Sequence, residues 1–385
     1  MSSLQLLTES NVKEQATWLE IDRAALYHNL NQITERTMPG ASLMAIVKAN
    51  AYGHGLLPVV DSIRDQVSHF GVASMDEALA LRSREVDQSI LLFGVPRGEG
   101  IETAIQNEIS FAVSSLEQAR EISACAQRLN KPALIHIKVD TGMGRLGIPK
   151  LSALQTIHEI AKLDGLKLEG IFTHFPQGGE ENDLFTKHQI LSFFRIIEVL
   201  AGKGIHFAYR HAANSIGISH YKEAHLSLVR PGISLYGLYP CASLKHRMKL
   251  KPVLSWRARL ILIKDLAKGE SVGYSRTFTT EHDTRIGIIP VGYSHGYPFT
   301  LSNKGTALFA GKEYPIVGRV SMDYITINFG PHTNAEVGDI VTLLGRDGAS
   351  EISCEILAEK ANTIPYEIVT RLNPSIPRIT TSPVS

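Results

Sequence analysis

Cysteine is scarce: Cys125, Cys241 and Cys354 are the only three in 385 residues. Their odd number and wide scatter exclude a disulfide framework and a cysteine zinc ribbon. Charge of one sign is also missing. Lys+Arg total 39 against 38 Asp+Glu, so the chain lacks the basic surplus of a dominant nucleic-acid surface. No run approaches the ~18 uninterrupted apolar residues of a membrane span. The first residues, MSSLQLLTESNVKEQ, lack the basic stretch followed by an apolar one that marks a secretory signal. Low-complexity linkers and repeats of roughly 20–50 residues are absent too. These absences leave a reduced, cytoplasmic, metal-free protein with no membrane or nucleic-acid partner. What is present, 44% hydrophobic and 20% charged residues, is enough to bury a sizeable core. At ~150 residues per domain the length indicates two or three domains.

Up to about residue 245, short apolar runs alternate with amphipathic stretches. Strands are expected at 42–48, 69–74, 90–94, 110–114, 133–139, 168–174, 206–211 and 226–231. Helical patterns such as SLEQAREISACAQRL and TKHQILSFFRIIEVLAGKG lie between them. Such alternation predicts βαβ units and a parallel sheet. Eight units in ~250 residues match a closed (β/α)8, TIM-like barrel. A doubly wound open sheet is the alternative, weakened because no G-x-G-x-x-G follows the first strand. Beyond residue 245 the runs LSWRARLILIKDL, TRIGIIPVGY, KEYPIVGRVSM, YITINFG and DIVTLLG are β-rich, and helical pattern returns only near EISCEILAEKA. The expected organisation is a barrel over 1–245 and a mostly antiparallel β-strand domain over 246–385.

In a barrel, functional side chains gather at the carboxyl ends of the strands. The sequence puts Lys48 there, then Lys138 ahead of Asp140-Thr141-Gly142-Met143-Gly144-Arg145, then His174, His211-Ala212-Ala213-Asn214-Ser215 and Arg230-Pro231-Gly232. Singly each has a bland reading: a snorkelling lysine, a glycine turn, a structural histidine, an arginine in an ion pair. Their shared placement at one rim makes that joint reading weak. A lysine in such a rim suits Schiff-base chemistry when its pocket lowers its pKa. Asn214-Ser215 offers a hydroxyl and backbone N–H groups to a phosphate. Lysine, phosphate cradle and a ring-facing cation together point to pyridoxal 5'-phosphate.

The motifs VKANAYGHG (47–55), KVDTGMGRLG (138–147), EGIFTHF (169–175), HAANS (211–215), RPGISLYGL (230–238), VGYS (272–275), IPVGY (289–293), VGRVSMD (317–323) and TIPYEIVTR (363–371) resemble, in the same order, those of the alanine racemase family, the fold-type III pyridoxal-phosphate enzymes. The resemblance runs from Trp18 to Arg378. It implies that Lys48 holds the cofactor and serves as one catalytic base. Tyr274 would be the second base, reaching the site across a homodimer interface. Tyr52, Ser215, Gly232, Ile233 and Tyr366 match positions around the cofactor phosphate, with Asn214 beside them, and Arg230 matches the residue facing the pyridine nitrogen. Arg145 and the Met322 backbone match positions that bind the substrate carboxylate. His174 and His211 resemble members of the hydrogen-bond network behind the cofactor and the tyrosine. Tyr293 and Asp323 match residues on the substrate access route, and Lys138 matches a lysine that many members carry as a carbamate.

The implied reaction fits these residue types. Racemisation removes the α-hydrogen from one face and returns a proton to the other, so two bases on opposite sides of a planar centre suffice. An arginine at the ring nitrogen, unlike an aspartate, does not protonate it. The expected activity interconverts L- and D-alanine, which supplies D-alanine for peptidoglycan. The alternatives are a serine or broad-specificity racemase of the same fold, a pyridoxal-phosphate carrier and a decarboxylase. The added β domain bearing Tyr274 argues against the carrier, and the isolated context of Cys354 argues against the decarboxylase. Three departures from the family pattern bear on access and selectivity: Ser321 where a cysteine is common, Ser294-His295 where an aspartate is common, and the stretch 176–183 after His174-Phe175.

Overall fold

The structure, a computed structural model, describes residues 14–176 and 183–381. Residues 1–13 and 177–182, which hold most of the amino-terminal stretch and most of the divergent segment after Phe175, lie outside the described residues.

All eight expected strands form one parallel sheet. Its order is Leu228–Val229, Ser42–Ile46, His69–Val72, Ser89–Leu92, Ile109–Val113, Ala133–Asp140, Leu166–Phe172 and Tyr209–His211. The last and first strands are joined by Ser227 N–H donating to the Arg210 carbonyl at 3.1 Å and Arg230 N–H to the Ala213 carbonyl at 2.9 Å, so the sheet is a nearly closed barrel. Polar residues just beyond the strands start the helices by accepting their first free N–H groups. Ser74 and Glu77 form a capping box on Met75–Ser83, Ser115 caps Leu116–Leu129, and Asp183 caps Leu184–Ala201. Chain direction therefore reverses where the functional residues lie.

The second sheet runs Leu262–Leu266, Thr284–Ile289, Ile325–Gly330, Lys312–Val317, Thr306–Phe309, Ile340–Asp347, Leu254–Arg259, Thr17–Asp22 and Arg378–Thr381. Among these neighbours only the last pair is parallel. The strand Thr17–Asp22 is not among those the sequence pattern singles out. It lies between two strands more than two hundred residues away in sequence, and only that distant pairing makes it a strand. Asp22 then caps the helix Arg23–Arg36 through the Ala25 N–H, which carries the chain into the barrel. The helices Cys354–Ala361 and Pro365–Thr370 return to the barrel mouth.

Candidate active site

A cavity of about 540 Å³ opens at the carboxyl ends of the barrel strands. Lys48, Lys138, Arg145 and Arg230 line it, and among the described residues no carboxylate does. Tyr52, His174, Asn214, Ser215, Gly232, Ile233 and Tyr366 complete its polar and backbone wall.

Lys48 does not end its strand, as the pattern suggests, but begins a turn of unusual hand. Ala49, Asn50, Ala51 and Tyr52 all have φ between 52° and 54°, and Gly53 follows at 79°. Left-handed backbone costs an L-residue roughly 1–2 kcal/mol, so this turn needs outside support. Asn50 N–H donates to Glu77 at 3.0 Å, and the Asn50 side-chain oxygen accepts from Leu56 N–H at 2.8 Å. The Gly53 carbonyl accepts from the Arg378 guanidinium at 3.0 Å. Arg378 also donates to the carbonyls of Leu372, Asn373 and Ile376, so one half-buried cation ties the Lys48 turn to the segment that follows the helix bringing Tyr366. Burial first, then the nearby Arg145 charge, lowers the Lys48 pKa. Both favour the neutral amine that a nucleophile or base requires.

Three groups form a donor-rich end of the cavity. The Ser215 hydroxyl oxygen accepts from Gly232 N–H at 3.0 Å, Ser234 N–H at 3.4 Å and the Ser234 hydroxyl at 2.9 Å, which leaves its own hydrogen to donate. Tyr52 and Tyr366 face each other with ring centroids 6.1 Å apart. Burial raises both phenols, Tyr366 to about 12, so both remain protonated donors. Asn214 caps the short helix that follows through Gly217 N–H at 3.0 Å. Donors without a competing acid suit a phosphate.

Arg230 is buried and makes no ion pair with a carboxylate among the described residues. Its terminal nitrogens donate to His211 Nδ1 at 2.8 Å, the Thr173 carbonyl at 2.7 Å, the Ala212 carbonyl at 3.1 Å and His174 Nδ1 at 3.3 Å. Nε makes no hydrogen bond among the described residues and remains free for an acceptor on a ligand in the cavity. Burial brings this guanidinium down to about 9. Burial and the Arg230 charge hold His174 and His211 well below their ordinary range, so both are neutral. Lys138 falls to about 8, chiefly through burial and the charges of Arg145 and Arg230. The free Nε, the Ser215 hydroxyl and the two phenols fit pyridoxal phosphate: a ring nitrogen would accept from the first and a phosphate from the others, and Lys48 would supply the amine.

The chain thus brings together every sequence-predicted residue of the barrel, with His211 directly behind Arg230. It does not bring Tyr274 or Met322. Tyr274 stands on a turn between Gly273 and Ser275 and is 72% exposed; Met322 is 54% exposed, and neither lines the cavity. Ser294 Oγ donates to the Met322 carbonyl at 2.8 Å and to Asp323 at 3.0 Å. Ser321 Oγ accepts from Tyr324 N–H at 3.0 Å. The two departures from the family pattern therefore shape the Met322 loop. Sequence reasoning missed Glu77 and Arg378, whose partners are backbone groups.

Two family models match, one described as "Alanine racemase, N-terminal domain" over residues 21–240 and one as "Alanine racemase, C-terminal domain" over 253–380. The chain belongs to the alanine racemase family. The alanine racemase of Methanococcus maripaludis is 39% identical over 365 residues, 94% of this chain and 98% of that protein. The structure of the Bacillus anthracis alanine racemase with bound L-Ala-P matches with a TM-score of 0.91 at 32% identity, covering 96% of each chain. That of the Bartonella henselae enzyme, with covalently bound pyridoxal phosphate, matches at a TM-score of 0.84 and 30% identity over 95% of this chain and all of that one. Membership in this family makes the chain an isomerase of the racemase type. No helix among the described residues is long and apolar enough to cross a membrane.

Proposed function

We propose that this protein interconverts L- and D-alanine with pyridoxal phosphate held at Lys48, acting in the cytoplasm as a homodimer that supplies D-alanine for peptidoglycan. The observation that carries the reading is the cavity itself: an amine biased toward neutrality, a donor-rich end and a free arginine Nε, with no carboxylate in the wall among the described residues. When bound, the cofactor acidifies the α-hydrogen of an attached amino acid by delocalising the charge left behind.

The protein's part is to bind, orient and move protons. Ser215, Tyr52, Tyr366 and the backbone at Gly232–Ile233 hold the phosphate. Arg230 donates to the ring nitrogen without giving up its proton. Arg145 receives the substrate carboxylate. Lys48 Nζ carries the proton on one face. The opposite face needs a second carrier, and Tyr274, largely exposed on its own chain, is the group available from a second copy. Exposure of Tyr293, Met322 and Tyr324 supports an interface on the same side of the β region. Lys138, neutral above about pH 8, suits carbamylation: its amine adds carbon dioxide and releases one proton, and the resulting anion pairs with Arg145.

The test is direct. Borohydride reduction of the reconstituted protein should fix the cofactor on the peptide containing Lys48, and the protein should exchange the alanine α-hydrogen with deuterium from solvent. Retention of both by Lys48→Ala sinks the assignment. A larger kcat/KM for serine or lysine than for alanine replaces it with the broader racemase reading.

A further inference from the structure

Barrel interiors are usually filled by branched apolar side chains, but this one carries a buried polar chain below the cavity. His211 Nε2 lies 2.8 Å from His136 Nδ1, and His136 Nε2 lies 3.3 Å from Glu169 Oε2. Ser110 donates to the same carboxylate oxygen at 2.8 Å. Both histidines are fully buried.

The protons in this chain have only one arrangement. A guanidinium can donate but never accept, so His211 Nδ1, 2.8 Å from Arg230, must be bare. A neutral His211 then carries its hydrogen on Nε2 and donates it to His136 Nδ1. His136 in turn carries its hydrogen on Nε2 and donates to Glu169 Oε2, which therefore accepts. Reversing the first link would strip His211 of both hydrogens, and reversing the second alone would strip His136. Every donor therefore points away from the cavity, from a cation that only donates to an anion that only accepts. Hydrogen bonds to Ser110 and His136 keep the Glu169 carboxyl below its ordinary pKa despite burial.

Two features of the backbone are built for this chain. Along the pairing of Ala133–Asp140 with Leu166–Phe172, Ile135 faces Leu168 but His136 faces Gly170. Glu169 is the extra residue of a bulge, and a bulge re-aims a side chain that strict alternation would send to the other face. Gly170 supplies the room: a Cβ there would stand 2.6 Å from His136 Cε1, so any larger residue displaces the ring.

We propose that Glu169 is a positioning residue for Arg230: through His136 and His211 it fixes the direction of the relay and keeps His211 Nδ1 a bare acceptor, which aims Arg230 Nε at the ring nitrogen of the cofactor. The assignment of that ring rests on the function proposed above. The carboxylate is also the counter-charge that Arg230, with no carboxylate partner among the described residues, would otherwise lack.

The experiment compares Glu169→Met, which removes the acceptor, Glu169→Gln, which keeps an oxygen without the charge, and Gly170→Ala, which moves His136 from the other side. Solid-state 15N spectra of histidine-labelled holoenzyme read the tautomers, and cofactor release and alanine kinetics are measured on the same samples. Wild type should show His136 and His211 as single Nε2–H tautomers. Glu169→Met and Gly170→Ala should mix the tautomers, speed cofactor release and lower kcat by about 10–100-fold, the usual cost of losing an orienting partner, with a smaller change in KM. Glu169→Gln should keep the tautomers and recover part of kcat. The proposal is overturned if Glu169→Met, or Gly170→Ala where Glu169→Met does not fold, leaves the tautomers single and cofactor release unchanged. A wild type that racemises no alanine yet shows the tautomer response would instead overturn the functional reading and leave the relay standing.

Discussion

Gly53→Ala should separate the two halves of the site. Gly53 sits at φ 79°, and a Cβ on it would stand 2.8 Å from the Val369 carbonyl carbon and closer still to its oxygen. Val369 belongs to the helix Pro365–Thr370, which brings Tyr366 and Thr370 to the cavity. Two terms add: about 1 kcal/mol for an L-residue in left-handed backbone, and about 1–3 kcal/mol for overpacking a contact with no flexible side chain to yield. Gly40→Ala is the control, because Gly40 has a similar φ of 86° with nothing within 4 Å of the added Cβ, so only the first term applies. At about 2.1 cal/mol/K of unfolding entropy per residue, a chain of this length moves its thermal midpoint by about 1.2 °C per kcal/mol. Gly53→Ala should therefore lower the midpoint by about 2–5 °C and Gly40→Ala by about 1 °C, read by calorimetry. Only Gly53→Ala should also weaken cofactor binding, by about tenfold or more, since Lys48 and Tyr366 are pushed apart. Equal midpoint shifts with unchanged cofactor affinity would refute the reasoning.

Arg378→Lys should cost about 2–4 kcal/mol, because a single ammonium cannot reach the carbonyls of Gly53, Leu372, Asn373 and Ile376 together; thermal melts with and without cofactor check this. In bicarbonate-free buffer, Lys138 is depressed from 10.5 to about 8. Between those pH values the unfolded chain binds more protons, so stability rises with pH across that window. Lys138→Met should flatten that rise, measured as denaturation midpoint against pH. Mixing Lys48→Ala with Tyr274→Phe, each nearly inactive alone, should restore about a quarter of wild-type activity. Random reassortment of a two-fold dimer makes half the molecules mixed, each with one intact site. No recovery after verified subunit exchange would place both bases on one chain. Arg230→Glu should add transamination, seen as pyruvate formed from alanine, because a carboxylate can protonate the ring nitrogen where the arginine does not.

The legible parts of this fold are those set by local physics. Apolar runs between amphipathic stretches placed all eight barrel strands, since a parallel strand buried on both faces shows its character without its neighbours. Lys48, Ser215 and Arg230 were readable because unusual residue types interrupt such runs at the ends where ligands gather. Thr17–Asp22 was not, because its partners Leu254–Arg259 and Arg378–Thr381 are remote in sequence. The left-handed turn after Lys48 was equally hidden: Ala49 and Ala51 favour right-handed helix, and only Glu77, Arg378 and the packing of Val369 overrule them.

Glu169 shows why the remainder escapes. In the strand Leu166–Phe172, alternation puts Glu169 on the face opposite Gly170 and Phe172, where a carboxylate reads as a solvated group between helices. One unpaired residue reverses that reading, and nothing within the strand announces it, because the register belongs to the pair of strands. The inward turn becomes intelligible only from Arg230, whose guanidinium can only donate and so obliges each ring below it to pass a hydrogen on until an anion ends the chain. Charge buried without a direct partner is costly, so a buried arginine with only neutral contacts is itself a signal that a carboxylate stands further along its hydrogen bonds. Here that search runs through two histidines to the bulged residue. It also explains why Gly170, which touches no ligand, cannot bear a side chain.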